Sequence, residues 1–165
     1  MKLKIGLGTR NGMGLSATAL NSGASAGLGP ELVTDGDMEL VGVANWADYA
    51  TPLTKEKSSV QVHSGTQSLH LIADANFEGA RQTTISVVAG VTYKIVVWTY
   101  VISGSAPRAR VTIGSGTTDL TSSTTNVWEF LTADVLSDAT GLETLQLDAR
   151  SGESYWDDIS IRAYL

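Results

Sequence analysis

Apolar residues at every second position, cut by glycine and serine turn signals roughly every ten residues, dominate the sequence from Glu31 onward. Such a pattern excludes a helical bundle. Strands are expected at 38–43, 54–62, 67–73, 80–88, 91–102, 108–114, 126–133, 142–149 and 154–164. The turns between them fall at His63–Gly65, Ala89–Gly90, Ser103–Ser105, Gly114–Gly116, Thr140–Gly141 and Ser151–Gly152. Leu145, Leu147 and Ala149 share one face, as do Val111 and Ile113. Residues 91–102 are apolar on both faces, which predicts a central strand covered on both sides. The stretch 114–125 reads as a polar loop or hairpin. Eight or nine short strands in this length predict an all-β, two-sheet antiparallel β-sandwich over 31–165.

Residues 1–30 differ in kind. They are rich in Gly, Ala and Ser, and they end at Pro30. Backbone entropy opposes ordering such a stretch, so an extended arm is expected unless it docks on something. Leu3, Ile5 and Leu7 alternate and could add a strand to a partner's sheet. Lys2, Lys4 and Arg10 make the arm basic, with no acid in it. The remainder carries 8 basic against 17 acidic residues, and the chain has a formal net charge of −6. A basic arm on an acidic body predicts that the two meet different surfaces. The overall charge argues against nucleic acid as a partner. The opening apolar stretch is too short for a signal peptide, and no run is long enough to cross a membrane, so a soluble, unprocessed protein is expected. There is no cysteine.

The closing segment, SYWDDISIR over 154–162, poses a question. Ile159 and Ile161 alternate with Ser160 and Arg162. Simple parity then puts Asp157 on the apolar face and Asp158, with Trp156, on the wet one. A carboxylate on an apolar face needs a cation or several hydrogen-bond donors, or its pKa must rise.

Read in order, ELVTDGDMEL (31–40), Trp46, VHSGTQSLHL (62–71), VVAGVTYKIVVWTYV (87–101), VWEFLTADVL (127–136) and the closing SYWDDISIR resemble carbohydrate-binding modules of the galactose-binding-like jelly-roll type. The resemblance covers residues 31–165 and implies a jelly roll. It also implies a structural Ca²⁺ held by Glu39, Asp157 and the carbonyls of the turn that contains Ser64 and Gly65. The alternative is that Asp157 accepts backbone N–H bonds from that turn. Trp46, Trp98 and Trp128 match core positions of the family, and Met38 stands where it usually has Phe. Sugar stacking needs aromatics outside the core, which leaves Tyr49, Phe77, Tyr100 and Tyr155 as carbohydrate-binding candidates.

No nucleophile elbow, phosphate loop or zinc-binding HExxH is present, and His63 and His70 are the only histidines. Acids at 157 and 158 aimed at opposite faces cannot share a substrate. The chain is therefore expected not to be an enzyme. Its start, MKLKIGLGTRNG, resembles those of small structural proteins of tailed bacteriophages. That resemblance implies a capsid- or tail-associated virion protein, made in the host cytoplasm. Its arm would bind other virion proteins, it would be homo-oligomeric in the assembly, and a host-surface glycan would be a further candidate partner. A free-standing carbohydrate-binding module and an assembly adaptor are the alternatives.

Overall fold

The computed structural model describes residues 27–165. The docking strand expected around Lys2, Leu3, Lys4, Ile5, Leu7 and Arg10 lies outside the described residues. Ten strands follow in order: β1 (Ala47–Tyr49), β2 (Thr54–Ser58), β3 (Ser68–Ile72), β4 (Gly79–Val87), β5 (Thr92–Ser103), β6 (Arg108–Ile113), β7 (Gly116–Thr121), β8 (Trp128–Leu136), β9 (Gly141–Asp148) and β10 (Glu153–Ala163). They form two antiparallel five-stranded sheets, β1-β4-β9-β6-β7 and β2-β3-β10-β5-β8. The two sheets pack face to face as a sandwich.

Alternation builds the core. Tyr93, Ile95 and Val97 of β5 face inward with Ile161 and Trp156 of β10, and meet Leu145 and Leu147 of β9 and Val111 and Ile113 of β6. Each inner face presents β-branched and leucine side chains at every second residue, which is what two stacked pleated sheets bury. The outward residues of β5 are Lys94, Val96, Trp98, Tyr100 and Ile102, all half-buried. So β5 is an interior strand of its sheet, between β10 and β8, but no second layer of the described residues covers its other face, where its composition predicts one.

Residues 38–43 are turn and bend rather than strand. Asp35 and Met38 take left-handed φ values of 56° and 58°. The Asp35 carboxylate accepts from Leu40 N (2.9 Å) and from Lys57 Nζ (2.7 Å), which fixes the loop in that shape. Met38 and Trp46 still reach the core, both fully buried. The segment expected as a polar loop or hairpin contains β7, paired with β6 from Arg108↔Thr121 to Ile113↔Gly116.

Residues 27–36 run antiparallel to the last strand. Leu28 bridges Tyr164, Gly29 N donates to Ala163 O and Leu32 N to Ile161 O, and Ile159 N donates to Gly36 O. The Glu31 carboxylate stitches the same seam, accepting from Val33 N and Ile161 N.

Candidate functional site

Parity along β10 is broken in the middle. Asp157 pairs with Trp98 and Ser160 with Val96, so Asp158 and Ile159 together stand against Val97. This is a β-bulge, and Asp158 takes a φ of 44° within it. One extra residue inverts the facing of everything before it. Trp156, expected on the wet face, is 0% exposed in the core, with Nε1 donating to Ser154 Oγ at 2.9 Å. Asp157, expected on the core face, lies on the outward face beside Trp98.

Both acids then meet one turn, where simple alternation sends them apart. Asp157 Oδ2 accepts from His63 N (3.0 Å) and Ser64 N (3.1 Å), and Oδ1 from Asp158 N (2.8 Å). Burial pushes the Asp157 carboxyl up, and these three N–H bonds oppose the rise. Asp158 accepts from Ser64 Oγ at 2.9 Å and sits 2.6 Å from His63 Nδ1. Glu39 holds the far side of the same turn, accepting from Thr66 N and Oγ1 and from Gln67 N. The Thr66 hydroxyl first, and the Thr66 amide next, hold its carboxyl below the usual value. Gly65 fits because a Cβ there would lie 2.5 Å from Glu39 Oε1. The turn therefore directs N–H and O–H donors at both acids, whereas calcium takes oxygens. As arranged, these donors occupy the Asp157 and Glu39 carboxylates, and the described residues hold no cluster of three or more His, Asp or Glu able to bind a metal.

Pinned in this way, the turn lays His63 on the outward sheet. Its ring stacks on Trp98 at 3.8 Å and 21° and meets Trp128 edge-on at 5.4 Å. Strand register places the remaining aromatics in one row. Glu56 of β2 pairs with His70 of β3, His70 with Tyr155 of β10, Tyr155 with Tyr100 of β5, and Tyr100 with Trp128 of β8. The row crosses all five strands, about 19 Å at the usual strand spacing. Trp98 and Phe130, 5.2 Å apart, start the next row. Phe130 is 48% exposed and Trp98, Tyr100 and Trp128 are half-buried, so ring surface reaches solvent. Glu56 and Glu153 add carboxylates at one end, both against His70. Flat apolar faces beside carboxylate acceptors suit a ligand with hydroxyl edges and apolar ring faces.

Of the aromatics singled out from the sequence, Tyr100 and Tyr155 lie together in this row, 6.5 Å apart and edge to face. Tyr49 lies in β1 of the other sheet, 6.0 Å from the Arg81 guanidinium carbon. Phe77 sits in the β3–β4 loop, 4.9 Å from that of Arg108. Neither joins the row. Trp128 belongs to it and Trp98 to the next row, although their positions in the family pattern place them in the core; only Trp46 of those three is a core residue. Parity carried the signal: Trp98 alternates with Val97 but shares its face with Lys94, and Trp128 and Phe130 share theirs with Thr132 and Asp134.

A family model described as a carbohydrate binding domain matches residues 30–145. No curated protein matches the chain. Among solved structures it is similar to the Family 16 Carbohydrate Binding Module-2 (TM-score 0.63, 19% identity, 79% of this chain and 98% of that one). It is also similar to the CBM22-1 xylan-binding domain from Paenibacillus barcinonensis Xyn10C (TM-score 0.65, 18% identity, 85% and 98%). A third likeness is to the enzymatically active domain of Bacteriophage CBA120 tailspike protein 4 (TM-score 0.67, 13% identity, 81% of this chain and 21% of that one). At these identities the structural likenesses establish the jelly-roll sandwich.

Proposed function

Because the chain belongs to the carbohydrate binding domain family, we propose that it is a non-catalytic glycan-binding protein whose ligand lies across the outward face of the β2-β3-β10-β5-β8 sheet. The observation that carries this reading is the register row from His70 through Tyr155 and Tyr100 to Trp128. A sheet face that is to remain in water has no reason to gather its aromatics there, since unpartnered apolar surface favours association. A run of sugars laid perpendicular to the strands meets the accessible rings of Tyr100 on β5 and of Trp128 and Phe130 on β8, with the buried rings of Tyr155 and His70 continuing the row and Glu56, Glu153 and Asp158 able to accept from hydroxyls. The xylan-binding domain and the structure solved with β-1,4-galactotriose among the similar folds support a β-linked chain as the ligand class. Affinity electrophoresis in xylan and in β-1,4-galactan tests the reading. Retention of the full chain, reduced in Trp128→Ala and Tyr100→Ala but unchanged in Tyr49→Ala and Phe77→Ala, is the expected result. Equal loss in all four variants, or no retention of the wild type, refutes it.

A second reading concerns the setting, and it is favoured by the tailspike likeness together with the charge split. In it the module is displayed on a phage particle, at the capsid or tail, with the basic segment around Lys2, Lys4 and Arg10 holding it to other virion proteins as an oligomer and a host-surface glycan as its ligand. Comparing the full chain with residues 27–165 by size exclusion and by incorporation into purified particles tests this. Equal incorporation of both sinks the anchoring role.

A further inference from the structure

His70 closes one end of the aromatic row. It projects outward from β3 and is 8% exposed. Its Nδ1 lies 3.2 Å from Glu56 Oε1 of β2, and its Nε2 lies 3.1 Å from Glu153 Oε1 of β10. The ring stacks on Tyr155 at 4.4 Å and 10°. The same Glu153 oxygen accepts the Tyr155 hydroxyl at 3.3 Å. The titratable groups facing His70 are thus Glu56 from β2 and Glu153 and Tyr155 from β10. A neutral imidazole has one N–H and one lone pair, so between two carboxylates it satisfies one and opposes the other. The imidazolium donates to both, and its charge rests on the Tyr155 face.

We propose that His70, as the imidazolium, is a positioning residue of the glycan surface: it holds Glu153, and through Glu153 the Tyr155 hydroxyl, so that glycan binding weakens when the ring loses its proton. This rests on the reading of the outward sheet as the glycan surface. With the proton gone, a lone pair faces one carboxylate, that carboxylate turns away, and Tyr155 loses its fixed partner or its charged neighbour. Tyr155 is 4% exposed and packs edge to face on Tyr100, so Tyr100 then rests on a less ordered ring and the site carries an extra uncompensated negative charge.

Two measurements on the full chain test the proposal separately from the reading beneath it. The first is xylan affinity between about pH 5.5 and about pH 8.5. Wild type should weaken by about tenfold, the scale of one charge-assisted hydrogen bond. His70→Gln should bind at the weaker level throughout, with no pH response, while His63→Gln should keep the response. A flat wild-type profile, or a response that survives in His70→Gln, overturns the proposal. The second is the nitrogen NMR spectrum of the histidine rings, which needs no ligand. Both His70 nitrogens should carry protons at the acidic end, and the Tyr155 ring signals should move with the same midpoint. A singly protonated ring there, or Tyr155 signals indifferent to pH, overturns it as well. Absence of xylan binding at every pH, with the ring titration as expected, discards the glycan reading and leaves the clamp standing.

Discussion

Asp157 and Trp98 are partners across the β10–β5 ladder, one step before Asp158 and Ile159 crowd against Val97. The pairing sets Asp157 among the aromatics of the outward sheet and, by the same inversion, sends Trp156 into the core. The two tryptophans therefore differ in what they support. Trp156→Ala should cost about 3–5 kcal/mol, as expected for a fully buried ring. Trp98→Ala should cost about 1–2 kcal/mol, because part of the ring is already in water. Urea unfolding of the two variants checks the order; a larger loss for Trp98→Ala would place its ring in the core after all.

Asp157→Asn should destabilise by about 1–3 kcal/mol, since an amide cannot accept from His63 N, Ser64 N and Asp158 N together. Because N–H donors already satisfy the carboxylate, the melting temperature should not respond to EDTA or to millimolar calcium. A rise with free calcium that Asp157→Asn and Glu39→Gln both abolish would show a cation there instead. The pH sign is distinctive. Burial raises the Asp157 carboxyl, so above 3.8 and up to its folded value the folded protein holds more proton than the unfolded chain. Its contribution to stability improves as pH falls through that window.

Glu129 has the opposite sign. Burial pushes its carboxyl up, but bonds from Ser122 Oγ, Ser123 N and Oγ, and Thr124 outweigh that and hold it at about 2 against an ordinary 4.5. Screened by the solvent that reaches it, the group contributes about 1–2 kcal/mol above the ordinary value. That contribution disappears as pH falls from 4.5 towards about 2. Acid titration of unfolding in wild type and in Glu129→Gln should show the variant losing stability at neutral pH and changing less across the acid window. Parallel acid profiles would contradict the assignment.

The seam along the last strand makes a third stability test. Removing residues up to 33 deletes the Leu28–Tyr164 bridge, the Gly29 and Leu32 amide bonds and the Glu31 carboxylate that caps Ile161 N. Compared with a chain that begins at 27, it should melt at a clearly lower temperature, with the outermost residues of β10 exchanging their amides fastest. Identical melting of the two would mean that the seam contributes nothing net.

Most of the sandwich is legible from alternation, because the inward positions of β5, β6, β8 and β9 are mostly apolar, as with Tyr93, Ile95 and Val97, Ala109, Val111 and Ile113, Leu131, Ala133 and Val135, and Leu145 and Leu147. What alternation cannot see is a change of phase. The bulge at Asp158 and Ile159 adds a residue to β10 without leaving a glycine or proline to mark it, so Trp156 and Asp157 exchange faces relative to any count made from Ile161. The 38–43 loop escapes for a related reason. Met38 and Leu40 alternate like strand residues, yet the Asp35 carboxylate captures Leu40 N and Lys57 Nζ and bends the backbone before it can pair. The aromatic face is half visible: Tyr100 and Tyr155 stand out as candidates, while Trp98 and Trp128 are hidden by their match to core positions elsewhere in the family. Their own strands, with Lys94, Thr132 and Asp134 on the same face, gave the better guide. That His70, Tyr155, Tyr100 and Trp128 line up is a matter of strand order, 3-10-5-8, and no local pattern encodes it.

The antiparallel seam between residues 27–36 and β10 also has a mechanical meaning. If the chain is held ahead of residue 27 while a ligand grips the sheet near Tyr155, the pull draws the two antiparallel segments past each other along their length. The amides of Gly29, Leu32 and Ile159 then share the load side by side, where a peeling force would break them in turn. A tether built on this corner resists tension as a lap joint does, with its strength set by the length of the overlap.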